Sequence, residues 1–235
     1  MLAFVDESKS GSLVSIGFYI SRSYIAAYEG LMDEYRKILR SLSARVRGEV
    51  KFSTILNIIG KKLGILPNIE LMKIFREAVR KISMYGYGLA ILINEKIPTL
   101  PRVVEDMMHI ENSLARIRKL MKSRGYSPSN RTLKVLISFL IMMNLYPKIS
   151  TIIVDQNFIR KKDLCFIFVT LRFLGYNTHI RFCSKAEGRG ILIADFVAGL
   201  SRHISTNYSY GIIDNILVFS ASDSVADTIP NSESS

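Results

Sequence analysis

Between Thr151 and Ser205 the chain alternates strand and helix, and that alternation restricts the folds open to it more than any other feature. Thr151 to Asp155 (TIIVD) is an unbroken apolar run ending in acid, the pattern of a strand buried on both faces. Arg160 to Leu174 has helical spacing, Asn177 to Cys183 reads as a second strand, and Gly190 to Ser205 as a second helix. A strand–helix–strand–helix order requires right-handed crossovers and at least partly parallel pairing, which excludes all-α and all-β architectures.

The first half supplies different elements. Leu2 to Asp6 and Leu13 to Ile20 flank a Gly/Ser turn at Gly11 and read as an antiparallel hairpin. Ser23 to Leu42 puts Ile25, Tyr28, Leu31, Met32, Tyr35, Ile38, Leu39 and Leu42 on one helical stripe. A short helix to about Leu63 follows Gly48 to Ser53, Asn68 is expected to cap a helix through Met84, and Tyr87 to Asn94 is a strand. Two helices, near 100–123 and 129–146, read as an α-helical insertion over about 100–146. Tyr210 to Phe219 reads as a terminal hairpin turning at Asp214-Asn215. The expectation is one α/β domain over 1–220, a mixed sheet flanked by helices with a helical insertion. A disordered, Ser-rich acidic tail is expected over 221–235.

A composition of 49% hydrophobic and 22% charged residues excludes wholesale disorder. The formal charge is +12, and the tail carries three acids and no Lys or Arg, which leaves +15 on the remainder. Such a body attracts polyanions, so nucleic acid leads the partner classes and an anionic membrane surface follows. Leu133 to Tyr146, the most apolar stretch, is short and interrupted by Lys134, Ser138 and Asn144, which argues for a buried helix and against a membrane span. The start meets a double acid at Asp6-Glu7 and carries no secretory signal. A soluble, cytoplasmic protein without a membrane partner is expected, and a homodimer is admissible. Cys165 and Cys183 are too few for a disulfide scaffold or a multi-cysteine zinc site and read as buried thiols. His109, His179 and His203 fall on separate elements, and no phosphate loop, HExxH, CxxC or GxSxG motif is present.

The acids are placed where acids are unusual. Asp6 ends the first strand and Asp155 ends TIIVD. If those strands are adjacent and parallel, both carboxylates emerge at the same sheet edge, where open α/β sheets bind ligands. Asp195 lies in GILIADFVAGL with Ile191, Leu192, Ala198 and Gly199 three and four residues away, so it faces the sheet at a cost of several kcal/mol unless compensated. Glu49 enters another apolar segment, Val50-Lys51-Phe52. Each has a structural alternative: Asp6 as a turn former, Asp155 as a helix cap, Asp195 in a salt bridge with Arg189 or Lys185. Basic residues provide a second pattern. From Asn112 to Lys134 there is no acid, while Arg116, Arg118, Lys119, Lys122, Arg124, Arg131 and Lys134 are cationic. That stretch is either a phosphate-tracking surface or a solvated helix face. Arg160, Lys161 and Lys162, just beyond Asp155, are the stronger nucleic-acid candidates.

Four segments, FVDES (4–8), GEVKFS (48–53), IIVDQN (152–157) and SKAEGRGILIADFVAG (184–199), resemble in order the RNase H-like family called "domain of unknown function 3800". The resemblance implies an RNase H-like fold and a metal-dependent nuclease acting on DNA or RNA. It implies an acidic site of Asp6, Glu49, Asp155 and Asp195, with Glu7 and Lys51 adjacent. Two divalent ions, Mg²⁺ or Mn²⁺, suit such a carboxylate set, since hard cations prefer oxygen ligands. Lys51 would either stabilise developing phosphate charge or neutralise Glu49. One position departs from the pattern: Leu192 stands where similar proteins usually carry Gln, three residues before the last Asp. The alternative is a nucleic-acid-binding or assembly module on the same fold, its chemistry weakened.

Overall fold

The computed structural model describes residues 1–47, 50–94, 116–117, 119–123, 125–184, 187–204, 210–213 and 216–220. Strands β1 (Leu2–Ser10) and β2 (Leu13–Ser21) form a hairpin that turns at Gly11, whose φ of 58° suits a residue without Cβ. β3 (Gly86–Asn94) continues the antiparallel meander beside β2. On the other side of β1, β4 (Thr151–Val154) pairs parallel to it and β5 (His179–Phe182) parallel to β4. A final antiparallel pair, β6 (Tyr210–Ile213) and β7 (Ile216–Ser220), joins through β7 parallel to β3. The sheet order is β5-β4-β1-β2-β3-β7-β6. This is the mixed α/β sheet expected, with an antiparallel β1-β2-β3 meander extended by parallel strands beside β1.

Among the described residues the two faces are covered by α1 (Tyr24–Ser41), α2 (Phe52–Leu63), α3 (Asn68–Ser83), α4 (Asn130–Leu145), α5 (Lys161–Phe173) and α6 (Gly188–Ile204). α6 lies against β1 and β2, with α1, α2 and α3 packed around it. Their core is aromatic: Phe196 meets Tyr35 at 6.1 Å and Phe75 at 5.8 Å between ring centroids, and Phe52 meets Phe75 at 5.2 Å. Aromatic pairs at these spacings and tilts contribute beyond their buried area. The opposite face is covered by α4 and α5. α4 was expected as part of an insertion between strands, and it forms the core of this face, with Phe139 edge-on to Phe18 at 5.7 Å. Its near-continuous apolar sequence is therefore the mark of a helix enclosed on most sides.

Four expectations are corrected. Asp6 does not end β1: the strand runs on to Ser10, because Asp6 to Ser10 stay paired with β2 and the hairpin turns only at Gly11. Asn68 is the first residue of α3 rather than its cap, and its side-chain amide donates to the Ile204 carbonyl at 3.1 Å, tying α3 to the end of α6. Cys165 is exposed and Cys183 only half-buried, because Leu164, Ile167 and Leu171 take the inward stripe of α5 and turn Cys165 outward. Ile25 is exposed, since Ala27, Leu31 and Tyr35 form the buried stripe of α1. The tail from 221, the Asp214-Asn215 turn and most of the helix expected over 100–123 lie outside the described residues. Among the described residues no helix is long and apolar enough to cross a membrane.

Candidate active site

The β1–β4 ladder brings two of the acids to one place. Val5 pairs with Val154 in parallel register, and the Asp155 N–H donates to the Val5 carbonyl at 3.2 Å. Asp6, midway along β1, and Asp155, just past the end of β4, therefore stand side by side where the parallel ladder ends. Across the hairpin, Asp6 is paired with Gly17 and Phe4 with Tyr19, and directly opposed residues share a face. That face is the one α6 covers.

Gly17 governs how closely α6 approaches. A Cβ at this position would stand 2.5 Å from the Ala194 carbonyl oxygen, 2.6 Å from the Ala198 nitrogen and 2.7 Å from the Ala198 Cβ. The helix backbone thus rests on β2 itself, and the residue after Ala194 is Asp195. Gly190 over the Phe4 ring and Gly199 against Phe52 leave no room for a Cβ either, so α6 is seated at three points. Seated there, the half-buried Asp195 accepts a hydrogen bond from the Phe52 N–H through Oδ2 at 3.1 Å. Phe52 opens α2, and a carboxylate at a helix N-terminus satisfies an orphan donor and opposes the helix dipole. Part of the cost of a mid-helix acid is offset in this way. Arg189, one of the bases considered for Asp195, has its guanidinium 5.6 Å over the Tyr28 ring.

The electrostatic consequence falls on Asp6. Burial, the Asp195 carboxylate and then Asp155 push its carboxyl from an ordinary 3.8 to about 8, against opposing pulls from the Glu7 N–H and Lys51. The Glu7 N–H donates to Asp6 Oδ1 at 2.8 Å, and the Asn157 N–H donates to Asp155 Oδ1 at 2.7 Å. Lys51, exposed at the N-cap position of α2, is close enough for its charge to reach Asp6. Glu7 is held by Arg131 of α4, with Nη2 at 2.5 and 2.6 Å from its two oxygens, and the same guanidinium donates to the Phe158 carbonyl at 3.1 Å. Glu49 and Lys185 lie outside the described residues. Among the described residues, no three His, Cys, Asp or Glu side chains stand close enough together to hold a metal ion. The donor chemistry nonetheless fits hard divalent cations: the acids offer oxygen alone, and Asp6 is the under-compensated charge that a cation would neutralise.

No protein-family model matches the chain, and no curated protein matches it in sequence. Among solved structures it is similar to ribonuclease H2 from Pyrococcus horikoshii OT3, with a TM-score of 0.39 and 16% identity over 88% of this chain and 76% of that one. At that level no residue role passes from one protein to the other.

The cationic candidates divide by commitment. Arg160 is paired with Asp163, its Nε 2.6 Å from Oδ2, while Lys161 and Lys162 are exposed in the first turn of α5. Arg116, Lys119 and Lys122 are exposed as well. Two features of the site's geometry fall outside the pattern of acids and bases that the sequence singles out. Gly17, an isolated glycine in an apolar strand, carries a legible signal of close backbone approach. The partner of Arg131 carries none, because Glu7 is 124 residues away.

The bond to Phe52 separates two substitutions at Asp195. Asp195→Asn keeps an acceptor for the helix N-terminus and removes a charge beside Asp6, so in EDTA it should melt at or above the wild-type temperature. Asp195→Ala loses the acceptor and should be about 1 kcal/mol less stable than the Asn variant. Equal melting temperatures for the two variants would show that the α2 bond contributes nothing.

Proposed function

We propose that the chain is a metal-dependent nuclease that hydrolyses phosphodiester bonds of DNA or RNA at Asp6, Asp155 and Asp195, with Glu49 as a fourth acid. The observation that carries this reading is the Asp6 carboxyl, held under-compensated by two other carboxylates where the parallel β1–β4 ladder ends. The resemblance of four segments to the RNase H-like family "domain of unknown function 3800" supports it, as does the charge of +12.

Bound Mg²⁺ or Mn²⁺, two ions in this reading, would activate water and neutralise the leaving oxygen. The protein's own part is orientation. The Phe52 N–H fixes the Asp195 carboxylate and the Asn157 N–H that of Asp155, so neither acid must be ordered when substrate arrives. Lys51 offers its charge to the phosphate from the rim, and Lys161 and Lys162 draw the nucleic-acid backbone toward the strand ends.

A second reading, a nucleic-acid-binding module with weakened chemistry, is favoured by Leu192 and by the finding that, among the described residues, no three acids are gathered as an ion would need. Labelled DNA and RNA strands, duplexes and junctions incubated with Mn²⁺, Mg²⁺ or EDTA separate the two. Metal-dependent cleavage that Asp195→Asn abolishes supports the nuclease; metal-independent binding without cleavage supports the module. Binding should also report on the cations. Lys161→Ala with Lys162→Ala should flatten the log–log salt dependence of duplex binding by about 1.8, roughly 0.9 for each phosphate no longer neutralised. Arg160→Ala should add less, because its guanidinium is already paired with Asp163. An unchanged slope would make this run a solvated helix start.

A further inference from the structure

We infer that the groove at the end of the sheet where β3 begins is a binding surface for single-stranded nucleic acid, with bases stacked on tyrosine rings and phosphates met by Arg22 and Lys148. The inference does not depend on the nuclease reading. Three segments form the groove: the exit of β2 at Ser21 and Arg22, the turn from α3 into β3, and the residues after α4 from Tyr146 to Lys148. It lies away from the acids. Asp6 is paired with Gly17, and Ser21 is four residues further along β2, which at about 3.3 Å per residue is roughly 13 Å.

Local structure explains why the rings are here. Tyr85 closes a turn after α3, its N–H donating to the Ile82 carbonyl at 3.1 Å, and its own carbonyl accepts from Ser21 Oγ at 2.5 Å. Gly86 follows with no room for a side chain, since a Cβ would stand 2.5 Å from the Ile20 carbonyl oxygen and 2.8 Å from the Tyr19 ring. The backbone is thereby pinned between Tyr85 and Tyr87, and both rings are left at the surface. Tyr87 leans on Tyr146, with ring centroids 5.4 Å apart and a tilt of 32°. Even so, Tyr87 is 54% exposed, Tyr85 40% and Met84 61%. Large side chains exposed in such close succession form a patch of the kind that marks an interaction surface.

Charge decides the partner. The lining holds Arg22 and Lys148 and no Asp or Glu. Both cations are exposed, and among the described residues neither side chain is engaged in an ion pair or a hydrogen bond. An acidic peptide or a free phosphate would satisfy the cations and leave the rings in water. A single strand satisfies both, because every base has a π-face to lay on tyrosine and every linkage a phosphate for a cation. A duplex keeps its base faces stacked inside, out of reach of the rings. An anionic bilayer is the poorer fit, since rings that line a concavity do not enter a flat surface as rings on a protruding face do.

The test measures binding by the intact chain in EDTA, so that cleavage plays no part. The probes are a short labelled oligothymidine strand, an abasic strand of the same length, and vesicles of phosphatidylserine. Oligothymidine should bind about 10-fold tighter than the abasic strand, which carries the same charge without bases. Tyr87→Ala should remove that advantage and leave abasic binding unchanged, while Tyr87→Phe, which keeps the ring, should retain it. Arg22→Gln with Lys148→Gln should flatten the log–log salt dependence of oligothymidine binding by about 1.4, roughly 0.7 for each phosphate no longer neutralised. Both positions are exposed, so this double variant decides the matter should Tyr87→Ala fail to fold. Equal affinity for the two strands, a base preference that Tyr87→Ala leaves intact, or an unchanged salt slope would overturn the surface. Tighter, Tyr87-dependent binding to the vesicles would overturn it too, and make the groove a membrane contact. Tyr87-dependent binding of bases with no cleavage of any substrate would keep the surface and sink the nuclease.

Discussion

Asp6→Asn is expected to abolish metal-dependent cleavage while stabilising the metal-free protein, with a gain that grows with pH. The folded-state carboxyl titrates near 8 and the unfolded one near 3.8. Between those values the folded protein holds more protons than the unfolded chain, so the wild type loses stability as pH rises from about 4 to about 8. Below that window Asp6 is neutral in both states and imposes no penalty; above it the penalty is complete. Asn carries no charge, so the variant should match the wild type near pH 4 and exceed it by about 5 kcal/mol at pH 8 in EDTA, roughly 1.4 for each pH unit between the two values. At about 2–4 °C per kcal/mol for a chain of this length, melting curves resolve that difference readily. Mn²⁺ should reverse the order, because a ligand that binds only the folded state stabilises the protein able to hold it. Cleavage should fall at least ~100-fold, the loss typical of removing one group that stabilises charge in the transition state. Parallel stability–pH curves for the two proteins would mean that Asp6 is not under strain from its neighbours and has no excess charge for a cation to relieve.

Gly17→Ala should be strongly destabilising. The new Cβ would meet the Ala194 carbonyl and the Ala198 nitrogen, both backbone atoms of α6, which cannot rotate away as a side chain could. Either α6 rises from the sheet or β2 bends, and overpacking of this kind costs about 3 kcal/mol, or a fall of about 6–12 °C in melting temperature. Since Asp195 rides on α6 immediately after Ala194, the variant that still folds should also lose cleavage. Gly60→Ala is the matched control: no atom lies within 4 Å of its Cβ, and in the middle of α2 the change should stabilise by about 0.5–1 kcal/mol. Equal behaviour of the two variants would show that α6 does not depend on contact with β2 for its position.

Much of this architecture is written locally. The β4–α5–β5–α6 order, the β1–β2 hairpin and the buried helix from 130 to 145 follow from hydrophobic period and turn chemistry, which act over a few residues and are legible in the chain itself. So are Asp155 at a strand end and Asp195 in an apolar helix; Asp6 instead lies inside β1, which runs four residues beyond the end expected for it. Asn68 and Cys165 depart from expectation because capping preference and hydrophobicity are statistical, and at these positions the docking of α6 and the inward stripe of α5 prevailed.

What the sequence by itself determined, then, is which residues are out of place: three acids among apolar neighbours, and at Gly17 a glycine inside an apolar strand. What only the tertiary structure decided is what each of them meets. The pairing of β1 with β4 puts Asp6 beside Asp155 across almost 150 residues, the seat of α6 on Gly17 brings Asp195 into range, and the first turn of α4 delivers Arg131 to Glu7. Such meetings depend on register and on the depth of packing. Both are settled when the whole core closes, because a slip of one residue in a strand turns every side chain to the opposite face and a single methyl under α6 lifts the helix.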